Sequence, residues 1–488
     1  MAHTIIAGAQ IFDGTGGAPY VADVTFDDGG IIAIDPPSPQ PPADAIDGRD
    51  LALAPGFIDA HTHDDLAVIV TPAMPAKITQ GVTTVVVGNC GISATADFGN
   101  RPALPDPLVL LGDADQYRYP DFASYAAAVD RASPATNVVA LVGHTALRAR
   151  HMDSFDREAN DAECAAMRAD LVAALDAGAF GFSTGLAYPN AAAASTAEVI
   201  AIADALQDSG ALYCTHLRSE TDAIVPALEE ALAIGRACRA PVVVSHLKCA
   251  GFPQFGRSGE ILALLEAGAA EQPVGCDCYP YTASSSTLDL KQVVPETPIK
   301  ITWSDPEPEQ AGRMLADIAT TWEVSLQQAA LRLQPAGAIY YCMTDVDVNR
   351  ILAHPLTMIG SDGLPCDPQP HPRLWGSFPR VLGHYARDRA LFSLATAVRK
   401  MTGLTADRFG LADRGHIRVG LAADLVLFDP ERIGDHATYD HPTVPAKGIH
   451  GVWVNGVPTI MAGKPTGERA GRLLRRRSSL SHIEGTES

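Results

Sequence analysis

The chain has 488 residues, 47% of them hydrophobic and 6% aromatic, with a formal net charge of −21 at pH 7. That length supports a large core and more than one domain, and the acidic balance argues against general nucleic-acid binding. The first residues lack a signal-peptide pattern, no apolar run reaches the ~18 residues of a membrane span, and nine scattered cysteines suggest no disulfide framework, so a reduced, cytoplasmic protein is expected.

Residues 4–54 carry short alternating apolar runs broken by Gly and Pro, such as Val21–Phe26 and Ile31–Ile34. This is antiparallel β patterning. The rhythm then changes. Apolar, β-branched segments begin near Gly56, Val82, Val138, Gly181, Leu212, Val242, Val274 and Thr357. Between them amphipathic helices are predicted at 160–177, 196–208, 223–238 and 257–270. The later strands recur about every 30 residues, the length of a βα unit. Eight such strands predict an α/β fold of the parallel (β/α)8, TIM-like barrel type. The stretch from 283 to about 345 is too long for a βα loop, and its charged, helix-compatible part (Asp305–Leu333) predicts an inserted subdomain or lid. Strand patterning returns at Leu425–Phe428 and Gly451–Val457, where Asn455-Gly456 signals a hairpin turn. The expected organisation is a small β-sandwich from residues 1–54 and 415–488, and a barrel of residues 55–414 with an insertion at about 287–345. The basic run Arg472–Arg477 is expected to be a solvated terminus.

In such a barrel, chemistry sits at the C-terminal ends of the strands. There the sequence places His61 and His63 after strand 1, spaced i, i+2 and therefore on one face of a strand. Cys90 follows strand 2, His144 strand 3, His216 strand 5, His246 strand 6 and Asp362 strand 8. A lone strand-end histidine is an ordinary hydrogen-bonding residue, but this many metal-ligand types on one rim point to a metal site. Zinc is the default, because it accepts imidazole, thiolate and carboxylate and in hydrolases leaves one position for water. It lowers the pKa of that water, and Asp362 is placed to act as general base and to pass the proton to a leaving nitrogen. Cys276 and Cys278 have no histidine beside them and are expected to pack in the core.

The strings that carry these residues resemble the amidohydrolase superfamily and, within it, the D-aminoacylases (N-acyl-D-amino-acid deacylases), nearly end to end. They are Pro55-Gly56-Phe57-Ile58-Asp59-Ala60-His61-Thr62-His63, Gly88-Asn89-Cys90-Gly91, Ser183-Thr184-Gly185-Leu186, Thr215-His216-Leu217-Arg218-Ser219-Glu220, Ser245-His246-Leu247-Lys248 and Ile359-Gly360-Ser361-Asp362-Gly363. The resemblance implies zinc-dependent hydrolysis of the amide of N-acyl-D-amino acids, giving a D-amino acid and a carboxylic acid. Strand 4, Phe180–Leu186, has no lysine of the kind that bridges two metals in hydantoinase-type relatives. The resemblance instead assigns a tightly held zinc to Cys90, His216 and His246, and a second, weaker position to His61, His63 and Asp362. It implies that Lys248, Tyr279, Ser285 and Arg373 hold the substrate's α-carboxylate or side chain; Tyr188 suits lining the acyl pocket and a packing role equally, and His144 suits a polar residue supporting the site. The residues alone also suit Lys248 in a surface ion pair, Arg373 packed on Trp375 and Tyr279 in the barrel core. The loop Ala187–Ala194 departs from the aromatic and Pro-Gly turn of many relatives, which leaves acyl and side-chain preference open. Alternatives are hydrolysis of another C–N bond (an N-formyl amide, a D-residue dipeptide or a cyclic amide), or a binding protein on the same scaffold. The expected partner is a small-molecule substrate, with no nucleic acid or membrane and with oligomeric state open.

Overall fold

A computed structural model describes residues 3–95 and 104–476. Eight short parallel strands lie in sequential order in one sheet: β1 (Phe57–Asp59), β2 (Val82–Val87), β3 (Asn137–Gly143), β4 (Gly181–Gly185), β5 (Leu212–His216), β6 (Val242–Val244), β7 (Val274–Cys278) and β8 (Thr357–Ile359). Their starts fall within a residue of those read from the sequence. Side chains alternate as the pleat requires. Val86, Val139, Leu141, Leu212 and Val243 fill the barrel interior. Val85, Val138, Val142, Tyr213 and Val242 pack outward against helices. The predicted helices are present at Asp161–Asp176, Thr196–Ala203, Ile224–Cys238 and Ser258–Ala269. The first begins at a capping box of Asn160 and Glu163.

The β1–β8 seam is bonded differently from the rest. These two strands form no ladder along their lengths. Three backbone hydrogen bonds just beyond them close the barrel: Ala60 N to Ile359 O (3.1 Å), Asp362 N to His61 O (2.7 Å) and His63 N to Gly363 O (3.1 Å). The seam is therefore made by the residues that carry the candidate site.

Between β7 and β8 the chain forms a three-stranded antiparallel sheet of Ser284–Thr287, Ile299–Ser304 and Ala336–Tyr340, the last in the centre. Helices Leu315–Trp322 and Leu326–Leu333 join it around Ile301, Ile318, Leu333 and Ala338. Strands from both ends of the chain meet in a separate nine-stranded sheet. Ala52–Pro55 pairs antiparallel with Leu425–Phe428, which joins the two ends. Thr4–Ile11 is antiparallel to Tyr20–Asp27 but parallel to Ile46–Asp47 and Ala52–Pro55, so the expected antiparallel pattern is mixed at this junction. Phe26 meets Trp453 edge-on at 5.6 Å in its core. Asn455 and Gly456 both have positive φ (+49° and +79°), as their two-residue turn demands. No helix among the described residues is long and apolar enough to cross a membrane.

The basic run near the C-terminus is not a solvated tail in its described part. Val138 N donates to Arg472 O (2.9 Å), Leu474 N to Val138 O (2.8 Å) and Arg476 N to Gly178 O (3.0 Å). The segment runs beside the start of β3, and Leu474 joins Leu404 and Phe409 in the cluster that fills the barrel interior. The leucines inside the basic run supply the drive, while Arg476 Nε caps the Ala179 carbonyl (3.1 Å). Arg477 lies outside the described residues. Leu473→Ala should lower stability by about 2–4 kcal/mol, the usual cost of truncating a buried leucine. Urea unfolding checks this, and a loss below about 0.5 kcal/mol would mean that the tail is not docked.

Candidate metal and catalytic site

The strand ends on the C-terminal face converge on Cys90. Its sulphur lies 3.3 Å from His61 Nε2 and 3.3 Å from His246 Nε2. Turn chemistry puts it there. Gly88 (φ +78°) and Gly91 (φ +75°) bracket it, and a Cβ on either would meet Leu141 O at 2.2 Å or Gly185 N at 2.7 Å. The turn can therefore lie flush on β3 and β4 only with glycine at these places. Ser183 ties it down, accepting from Gly91 N (3.0 Å) and donating to Gly88 O. This links the Gly-Asn-Cys-Gly string to the Ser-Thr-Gly-Leu string physically.

The other expected donors surround this point. His63 Nε2 is 3.2 Å, and His61 Nε2 3.6 Å, from Asp362 Oδ1. The His216 ring stands 4.5 Å from that of His246, and its Nε2 faces Glu220 at 3.7 Å. Among the described residues, three overlapping triads each bring their donor atoms within 4.8 Å: His61, Cys90 and His246; His61, His63 and Asp362; His216, Glu220 and His246. Every residue expected as a metal ligand is in one of them. A thiolate among imidazoles and a carboxylate is the donor chemistry that suits zinc. The Nδ1 atoms of His63 and His216 are buried without a hydrogen-bond partner among the described residues.

Two acidic residues absent from the sequence-based expectations complete the geometry. Asp277 on β7 is fully buried and accepts from His246 N (2.9 Å), with Oδ2 3.3 Å from His61 Nδ1. It thereby turns His61 Nε2 toward the sulphur, as supporting carboxylates do behind metal-bound histidines. Its neighbours Cys276 and Cys278 face outward into the core, as expected, so strand alternation points the residue between them inward. That alternation was the available signal. Glu220 Oε1 lies 2.9 Å from His246 Nδ1 and 2.5 Å from Lys248 Nζ. Its polar loop carries no comparable signal.

Burial pushes the Cys90 thiol pKa up, but the neighbouring His61 and His246 imidazoles outweigh it and hold the group well below its ordinary value. For His61 the balance reverses: burial lowers it, but Cys90 and Asp277 raise it well above normal. Burial and Lys248 depress His246, while Cys90, Glu220 and Asp362 carry it to about 9. Burial raises the Asp362 carboxyl, yet Arg373, His246 and His63 hold it well below the usual carboxylate range. Both shifts favour the ionised sulphur and carboxylate, the form in which each binds metal. Cys90, His246 and Asp362 also share positive φ values of +54°, +35° and +50°. Non-glycine residues adopt this region rarely and at a cost of about 1–3 kcal/mol each.

Beside this cluster lie the residues expected to meet substrate. The Arg373 guanidinium stacks 4.6 Å over the Tyr279 ring, and Lys248 Nζ is 5.8 Å from the same ring. Arg373 Nη1 is 2.9 Å from Asp362 Oδ2, and Nη2 donates to Ser285 O (3.0 Å). Both cations are buried, so Lys248 is not a surface ion pair. Among the described residues, the Tyr279 and Ser285 hydroxyls are buried and have no hydrogen-bond partner. The Tyr188 ring lies 4.9 Å from that of His216. His144 stands in a separate buried network, 3.1 Å from Glu198, which also pairs with Arg148.

Comparison with known proteins identifies the family of the chain. The amidohydrolase family profile matches residues 44–247 and 294–460. The chain is 49% identical over 475 residues to an N-acyl-D-aspartate deacylase of Alcaligenes xylosoxydans xylosoxydans, covering 97% of this chain and 95% of that one. It superposes with a TM-score of 0.94 on a D-aminoacylase 48% identical to it, over 97% of this chain and 99% of the other; that protein has a binuclear metal center described by one-metal activation and second-metal attenuation. It superposes with a TM-score of 0.91 on the N-acyl-D-glutamate deacylase of Bordetella bronchiseptica, 45% identical over 97% of this chain and 99% of that one, solved with zinc and a phosphonate mimic of the tetrahedral intermediate.

Asp277→Asn preserves shape but removes the charge that orients His61. Zinc affinity should fall roughly 10–100-fold, the usual effect of losing a supporting hydrogen-bond partner. Competition against a chelator measures it, and an affinity equal to the parent's would remove Asp277 from the account.

Proposed function

The chain belongs to the amidohydrolase family, and from that premise we infer that it is a zinc-dependent deacylase of N-acyl-D-amino acids, releasing a D-amino acid and a carboxylic acid. One observation carries the reading: a thiolate–imidazole cluster stands directly beside two buried cations that flank the Tyr279 ring. An N-acyl amino acid presents the matching pair of groups, an amide to hydrolyse and an adjacent carboxylate to hold.

Cys90, His216 and His246 would hold the essential zinc, with His61, His63 and Asp362 around a second position. Zinc supplies Lewis acidity, polarising the amide carbonyl and lowering the pKa of the attacking water. Asp362, ionised and at the lip of the cluster, takes the proton from that water and delivers it to the leaving nitrogen. Arg373 and Lys248 bind the α-carboxylate, Arg373 with the planar two-point grip of a guanidinium. The unpartnered hydroxyls of Tyr279 and Ser285 donate to the same group. Tyr188, against His216, lines the acyl side. Because Arg373 also pairs with Asp362, an arriving carboxylate competes for it. We take residues 1–54 and 415–488 as the β-sandwich, 55–414 as the barrel and about 287–345 as a cap over the strand ends. Nine free cysteines support a reducing, cytoplasmic setting, with no nucleic-acid partner.

The test is release of free amino acid from N-acetyl and N-formyl derivatives of D- and L-methionine, aspartate and glutamate by the zinc-loaded protein. The expected result is release from at least one D-substrate and none from its L-enantiomer. Release from L-substrates alone, or from none, would contradict the reading.

A further inference from the structure

One fully buried cation takes no part in the steps above. Lys77, in the short helix Pro75–Ile78, is 0% exposed. Its ammonium donates to Asp59 Oδ2 (2.7 Å), Thr62 Oγ1 (2.9 Å) and Ser361 Oγ (2.9 Å), and lies 3.1 Å from Asp64 Oδ2. Burial works against this charge, but Asp59 and Asp64 outweigh it and raise the lysine's pKa. An ammonium has three protons in a tetrahedral arrangement, and here all are committed.

The partners occupy both sides of the barrel seam. Asp59 ends β1, and Thr62 and Asp64 follow it, whereas Ser361 follows β8. Asp59 repeats the crossing: Oδ1 accepts from Ser361 N (2.8 Å) and His61 N (3.3 Å), and Oδ2 accepts from Ser361 Oγ (2.6 Å). Ser361 Oγ in turn accepts from Gly363 N (3.1 Å). Thr62 stands between His61 and His63, and Ser361 immediately precedes Asp362, whose backbone is held at φ +50°. Since β1 and β8 share no ladder along their lengths, these side-chain bonds join the three backbone hydrogen bonds that close the barrel here.

We propose that Lys77 is a positioning residue: it fastens the β1–β8 seam and thereby sets Asp362 against the His61–His63 pair. It touches neither substrate nor the Cys90 sulphur. Its effect on the reaction rests on the deacylase reading above; its effect on the seam does not.

Two variants test it. Lys77→Met/Asp64→Asn removes an acid together with the lysine, so the net charge of the buried cluster is unchanged, and Ser361→Ala leaves the lysine in place while removing the hydroxyl that bonds Lys77, Asp59 and Gly363. Amide exchange read by mass spectrometry on the zinc-loaded protein should show peptides spanning 60–64 and 360–364 opening at least about 10-fold faster, with β3–β6 unchanged. In the double variant kcat should fall about 100-fold, as expected when a reacting group is displaced by about 1 Å. KM should stay within about threefold of the parent value, because Lys248 and Arg373 are untouched. Parent-like exchange in both seam peptides, or a folded double variant with parent kcat, would overturn the proposal. The exchange arm needs no substrate. Faster seam exchange in a protein inactive on every N-acyl-D-amino acid would therefore count against the deacylase reading and for the fastening role.

Discussion

The contact on which the rest of the site depends is the Cys90 sulphur held between the Nε2 atoms of His61 and His246. It joins β1, β2 and β6 across the barrel mouth with one atom. A buried thiolate is costly on its own, and it is stable here because imidazoles face it on two sides. The backbone is bent to make this possible, with Cys90, His246 and Asp362 all in the left-handed region. Such strain persists only where the surroundings over-determine it. They do so here through Gly88 and Gly91 lying flush on neighbouring strands, Ser183 bonding both ends of the turn, and His61 O accepting from Asp362 N.

Around that contact the charges alternate. Asp277 backs His61, Glu220 backs His246 and Lys248, and Arg373 backs Asp362. Lys77 backs Asp59 and Asp64 one layer below. Each of these buried ions has an opposite neighbour within hydrogen-bonding range, the condition under which such groups are tolerated in an interior. The same arrangement explains reactivity. The Cys90 thiol and the Asp362 carboxyl are held below their ordinary pKa ranges, while cations beside Tyr279 remain within reach of an incoming carboxylate.

The barrel was legible because short, largely apolar runs recur between amphipathic helices, and the rim ligands were legible because histidine, cysteine and aspartate stand where those runs end. What stayed hidden was hidden for physical reasons. Asp277 sits inside a string whose outer members read as core, and only alternation reveals that it points the other way. Lys77 lies next to a turn and reads as an ordinary surface lysine; its burial comes from residues far along the chain, notably Ser361. The strand Ser284–Thr287 is entirely polar and exists because Ala336–Tyr340 pairs with it. The tail misled because four arginines outweigh two leucines in composition, whereas in the fold the leucines decide where it lies.

Zinc content and activity of Cys90→Ala, beside the parent protein after dialysis against a chelator, test the central claim most directly. The account predicts that the parent keeps a tightly bound zinc and releases a D-amino acid from its N-acyl derivative, while Cys90→Ala loses both the metal and the activity. A Cys90→Ala protein that retained one zinc per chain and full activity would contradict it.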